Sequence, residues 1–188
     1  GATIPTHHLT VIFNLPRAAQ PFYRFASGWK YPKFMKKLAQ AELDNFIKNY
    51  EDVTKYDLDA DDETTMIEQQ NECTFCWTTA DGSPMPVIMS YLEKDGKFWL
   101  TASSQRKRIP AIRRDPRVVI VINSTGSPLG KSKTVTYKGT AVIHDDRATK
   151  EWFYPALAER IMKKFGQERV DLFAKFLDSP RRVVIEVT

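Results

Sequence analysis

The rhythm of apolar positions changes near residue 71. Ahead of it, Phe34, Leu38, Ala41, Leu43, Phe46, Ile47 and Tyr50 recur at the spacing of one helix face. A helix is therefore expected from Pro32, a natural helix start, to about Asn49. Residues 1–31 carry aromatic and proline residues without a period, and are expected to form an arm packed on the body or on a partner. The acidic, polar stretch 51–63 reads as a linker, and a short helix over about 62–70 leads out of it. Beyond Glu72 the runs are short, rich in β-branched and aromatic residues, and punctuated by turns. Strands are expected over 73–80, 84–93, 97–104, 117–123, 134–144 and 181–188. Asp81-Gly82 and Asp95-Gly96 each close a hairpin, because glycine accepts positive φ without steric cost. Helices are expected over about 147–165, capped by Asp145 or Asp146, and about 167–177. The nearly all-apolar run 117–123 is expected to be buried on both faces.

Six short strands with intervening helices predict an α+β fold built on a small barrel or strongly curled sheet. The division expected is an arm with helices over 1–70 and the barrel domain over 71–188. With 188 residues the chain is long enough to bury a substantial core. No apolar run approaches the ~18–20 residues that span a bilayer, and the start lacks a basic n-region, so no signal peptide and no membrane partner are expected. Only two cysteines are present, which points to a cytoplasmic protein by default. Cys73 and Cys76 lie three apart on a strand, hence on opposite faces, and no second pair completes a metal site. No metal is expected.

Charge alters the picture at one place. The fifteen residues 103–117 hold Arg106, Lys107, Arg108, Arg113, Arg114 and Arg117 against a single carboxylate, Asp115. Their excess equals the net charge of the whole protein, +5. The cluster sits between two strands, where a short helix is expected to start near Gln105 under a Ser103 or Ser104 cap and to stop at Asp115-Pro116. Serine hydroxyls, free helix amides and guanidinium groups suit a phosphate monoester. Arg113 and Arg114, two turns later, are expected to face solvent or a partner subunit. A nucleic-acid-binding module using residues 106–117 is the rival reading. No aromatic residue interleaves that segment, as single-strand binders require, so no nucleic acid is expected. The three histidines form no triad: His7 and His8 lie in the arm, and His144 ends a strand alone. Trp152, Phe153 and Tyr154 read as core packing, with a pocket border as the alternative.

Three stretches, 78–91, 97–122 and 134–148, together resemble the split-barrel flavin-binding fold of the pyridoxamine 5′-phosphate oxidase-like proteins, whose superfamily includes coenzyme F420-dependent reductases. The resemblance implies a split β-barrel with flanking helices, and FMN or F420 bound at a homodimer interface. It places the cofactor phosphate on Lys107 and Arg108, supported by Arg106 and Ser104. Thr101 and Ala102 fall beside the ribityl chain, and Pro86, Val87, Ile88 and Met89 border the ring. Lys133 and Thr134 approach the flavin, sometimes from the partner subunit. A groove of Arg106, Lys107, Arg108, Lys131 and Lys133 would suit the longer anionic tail of F420. The arginine and lysine of true oxidases on the second strand are replaced here by apolar residues and Ser90. The carboxy-terminal substrate-binding Trp and Arg have no counterpart either. What the resemblance implies is therefore a flavin- or deazaflavin-dependent oxidoreductase other than pyridoxamine 5′-phosphate oxidase itself. A non-catalytic cofactor or haem carrier is the alternative. The cofactor carries the chemistry in such proteins, so no catalytic side chain is assigned.

Overall fold

A computed structural model describes residues 39–49, 58–129 and 133–188. The expected arm, the start of the first helix and Lys131 lie outside the described residues. Helix α1 (Gln40–Asn49) is followed by α2 (Ala60–Gln69). Part of the expected acidic linker belongs to α2, because the Asp59 carboxylate accepts from the Asp62 amide at 2.7 Å and starts the helix there.

Six strands form a closed antiparallel barrel in the order β1-β2-β3-β6-β5-β4. They are β1 (Glu72–Thr78), β2 (Pro84–Lys94), β3 (Lys97–Ser103), β4 (Arg117–Asn123), β5 (Thr134–His144) and β6 (Arg182–Val187). The two long strands each serve two neighbours. β2 pairs with β1 from Pro84 to Ser90 and with β3 only from Tyr91 to Lys94. β5 pairs with β4 as far as Thr140 and with β6 from Ala141 onward. The barrel is thus split along two seams, one of which lies between the first half of β2 and the end of β3. Asp95 and Gly96 both adopt positive φ, 56° and 74°, closing the tight β2–β3 hairpin.

Inward side chains at alternate positions fill the barrel: Cys73, Phe75 and Trp77 from β1, Val118, Ile120 and Ile122 from β4, and Val183, Ile185 and Val187 from β6. Met66 of α2, fully buried, joins this core, and Tyr91 donates its hydroxyl proton to the Ile67 carbonyl at 2.8 Å. Helices α4 (Arg147–Met162) and α5 (Gln167–Leu177) cover the outer face of β6 with Phe153, Tyr154, Leu157, Val170 and Leu177 packed on Val184. Asp146 is the residue that caps α4, accepting from the Thr149 amide at 2.8 Å. The strand buried on both faces is therefore β6. On β4 only the inward residues are buried, and Val119 and Val121 remain half-buried.

Candidate functional site

The cationic segment folds as a turn followed by helix α3 (Arg108–Arg114). The helix begins later than its serines suggested. Lys107 occupies the cap position without a side-chain bond, while the Arg106 amide donates to the Ser103 carbonyl at 3.0 Å and tightens the turn instead. Ile109, Ala111 and Ile112 anchor α3 in the core. Lys107, Pro110 and Arg114, with Ala111 at the border of the core, face a cleft of about 480 Å³. Trp77, Thr79 and Ala80 from the β1 end and Met85, Pro86 and Val87 from β2 complete the walls. The lining contains two cations and no carboxylate. Asp81, near the rim, is occupied with closing its turn: hydrogen bonds from Thr79 and then Ser83 hold its carboxyl at about 2.

Arg108 sits beside this cleft in an unusual condition. Its guanidinium lies over the Trp77 ring, 5.7 Å from the centroid. Its Nε is buried and has no hydrogen-bond partner among the described residues. Burial, with Arg106 as the next cause, lowers its pKa, although an arginine stays charged throughout the physiological range. A half-buried guanidinium with an idle donor is poised for an anion, because leaving a buried polar group unmet costs about 1–3 kcal/mol. The other cations are used differently. Arg117 forms a bidentate pair with Asp115, and Arg114 donates to the Thr78 carbonyl at 2.9 Å along the cleft wall.

Of the residues expected to bind a cofactor, Pro86, Val87 and Lys107 line the cleft, and Arg108, not itself a lining residue, lies over the ring of Trp77, which is. Arg106 and Ser104 are exposed at the turn, the Ser104 amide donating to the Arg181 carbonyl at 2.7 Å. Thr101 spends its hydroxyl on the Val183 carbonyl, and Ala102 and Met89 are buried in the core. Ile88 points to the outer face of the barrel, 59% exposed. Thr134 pairs with Asn123, at the far end of the β4–β5 ladder from Arg117, roughly 20 Å away at the usual strand rise. Lys133, beside it, is ion-paired with Asp62 of α2. Among the described residues of one chain, then, Lys133 and Thr134 lie apart from the cationic turn.

Arg114 was missed as a cleft residue, yet its signal was present. Lys107, Pro110, Ala111 and Arg114 fall at i, i+3, i+4 and i+7, one face of a helix. Trp77 had no comparable signal, since alternation on β1 also explains it as core. His144 lies elsewhere, on the outer face of the β3–β6–β5 sheet, where Nε2 meets Glu186 at 2.6 Å. Cys73 and Cys76 are free and occupy opposite faces of β1; burial pushes the Cys73 thiol up to about 12.

Comparison with known proteins adds the lineage. The family model described as pyridoxamine 5′-phosphate oxidase matches residues 61–188. No curated protein sequence is a significant match. Among solved structures, a conserved hypothetical protein from Mycobacterium tuberculosis is similar at 20% identity and a TM-score of 0.59, over 70% of this chain and 81% of that one. A Clostridium acetobutylicum protein related to general stress protein 26 aligns at 20% identity and 0.50, over 67% and 80% of the two chains. The haem storage protein of Vibrio cholerae aligns at 13% identity and 0.51, over 69% and 88%. At these identities the structures speak for the fold alone. With the family model spanning the whole barrel and α2, the chain belongs to the pyridoxamine 5′-phosphate oxidase-like split-barrel family.

Proposed function

We propose that this protein is a cytoplasmic, homodimeric oxidoreductase that holds FMN or F420 in the cleft between β1, β2 and α3. The observation carrying this reading is Arg108, a half-buried guanidinium without a carboxylate partner, stacked on Trp77 at an apolar cleft that also presents Lys107 and Arg114. The residues present fit such a group: cations for its phosphate, and Trp77, Met85, Pro86 and Val87 as apolar walls for a planar ring system. When bound, the cofactor supplies hydride chemistry. The chain's part is to fix the phosphate through Lys107 and Arg108, to orient the ring against the β2 backbone, and to keep water from its face. No side chain on the cleft is a convincing general acid or base, which suits a reaction that asks the protein chiefly for positioning.

The outer sheet face supports the dimer. Ile88 is 59% exposed, and Cys76 on the neighbouring β1 and Val119 and Val121 on β4 beyond it are only half-buried. Pairing two such faces is our route for bringing Lys133 and Thr134 of a second copy toward the cleft. Residues 1–70 we assign to an arm-and-helix module of which α2 docks on the barrel, with 71–188 as the barrel itself.

The test is the double substitution Lys107→Ala with Arg108→Ala. Two charge-assisted contacts of about 1.5–3 kcal/mol each predict at least about a hundredfold weaker binding of FMN or F420, with the far-UV spectrum and thermal midpoint retained. Unchanged affinity in a folded double variant would remove the cationic turn from the site.

A further inference from the structure

Helix α5 is amphipathic in an unexpected sense. Val170 and Leu177 are buried against α4, as packing requires. Yet its outward side is also apolar. Leu172 and Phe176 fall at i and i+4 on one face of α5 and are 59% and 62% exposed, and Phe165, in the turn just ahead of Gly166 and the helix, is 60% exposed. Single exposed apolar residues are ordinary, but three large ones within twelve residues, two of them on one helix face, form a patch that asks for a partner.

The setting of the stripe says what kind. Lys164, Arg169, Lys175, Arg181 and Arg182 surround it, and none has a carboxylate partner among the described residues. Two of these cations lie directly over the exposed rings. Lys164 Nζ is 5.0 Å from the Phe165 centroid, and the Arg182 guanidinium is 5.4 Å from that of Phe176. The carboxylates of the helix are fewer: Asp171 accepts from Gln167, Asp178 is paired with Arg147, and Glu168 alone stands open beside the stripe. At Phe165 and Phe176, exposed apolar and cationic groups therefore stand together. The cleft described above lies on other elements, β1, β2 and α3.

We infer that the outer face of α5 docks in-plane on an anionic lipid bilayer. The three apolar side chains enter the boundary between headgroups and acyl chains, and the ring of lysines and arginines meets the lipid phosphates. A bilayer supplies negative charge and apolar depth together along a ridge, whereas a protein partner would have to supply a groove lined with carboxylates. The absence of a membrane-spanning helix among the described residues has no bearing on this mode, because a helix lying in the interface needs no apolar span.

The experiment is co-sedimentation of the full chain with vesicles of phosphatidylcholine alone and of equimolar phosphatidylcholine and phosphatidylglycerol. The expected result is binding to the anionic vesicles at least about tenfold stronger than to the neutral ones at about 0.1 M salt, and release at about 1 M salt. Leu172→Gln with Phe176→Gln should remove that binding while leaving the thermal midpoint and FMN or F420 affinity as they are. Should that pair unfold the helix, Lys164→Gln with Arg169→Gln and Lys175→Gln tests the same face through charge alone. Equal binding by a folded α5 variant would overturn the inference and assign the lipid contact to another segment. Absence of wild-type binding also overturns it, and concentration-dependent self-association lost in the same variant would then make a second copy the occupant.

Discussion

A methyl group on residue 139 would lie 2.7 Å from both the Thr188 carbonyl oxygen and Val187 Cγ1. Neither can easily retreat, because Thr188 exchanges backbone hydrogen bonds with Thr140 at 2.8 and 3.0 Å, and Val187 is core. Gly139 marks the point where β5 leaves β4 and joins β6, so its missing side chain is what lets the strand cross there. Gly139→Ala is expected to cost about 1–3 kcal/mol, the usual range for overpacking, measured as a lower denaturant midpoint with unchanged slope. At the same scale, the presence of a cationic turn was legible from charge counting alone. The roles within it were not. Arg106 and Arg108 are the same residue type two positions apart, and only packing decides that Arg108 lies on Trp77 with an idle Nε while Arg106 is exposed.

Among the elements, β3, β5 and β6 are held together on their outer face by one carboxylate. Glu186 on β6 accepts from Lys97 of β3 at 2.5 Å and is bonded to His144 of β5 at 2.6 Å. Burial by itself raises its pKa, but the hydrogen bonds of Lys97 and His144 outweigh that and hold it below the ordinary 4.5. A depressed carboxyl favours the folded state above its unfolded pKa, and the benefit is lost as pH falls through the folded value. The thermal midpoint is therefore expected to drop below about pH 4.5, and Glu186→Gln should flatten part of that drop; an unaltered acid limb in the variant would place the sensitivity elsewhere. Element boundaries were readable where pattern and packing agree. Strand 117–123 and helix 167–177 fall where the sequence puts them, because turn residues and apolar periodicity coincide there. The start of α3 was misplaced by three residues, since the serines ahead of it are drawn into a turn by β3–β6 pairing rather than capping the helix. Likewise, β4 reads as doubly buried, yet α4 and α5 pack on the outer face of β6, with Leu92 and Trp99 of β2 and β3 beside it.

At the scale of the molecule, one chain leaves two things unfinished: an apolar outer sheet face around Ile88, and a site whose expected Lys133 and Thr134 lie about a ladder's length from the cationic turn. A second copy on that face completes both in our account. Ile88→Asp should shift the protein to a monomer in sedimentation velocity and weaken cofactor binding with it; a variant that stays dimeric would locate the interface elsewhere. The separation of Lys133 from the cationic turn follows from the β4–β5 pairing, which sets Thr134 against Asn123 and Arg117 against Thr140 at opposite ends of one ladder. The most direct measurement of the central claim is an absorbance and fluorescence titration of the full chain with FMN and, separately, with F420. Saturable binding of at least one of them, at one per chain, is expected. Failure of both to bind would contradict the claim.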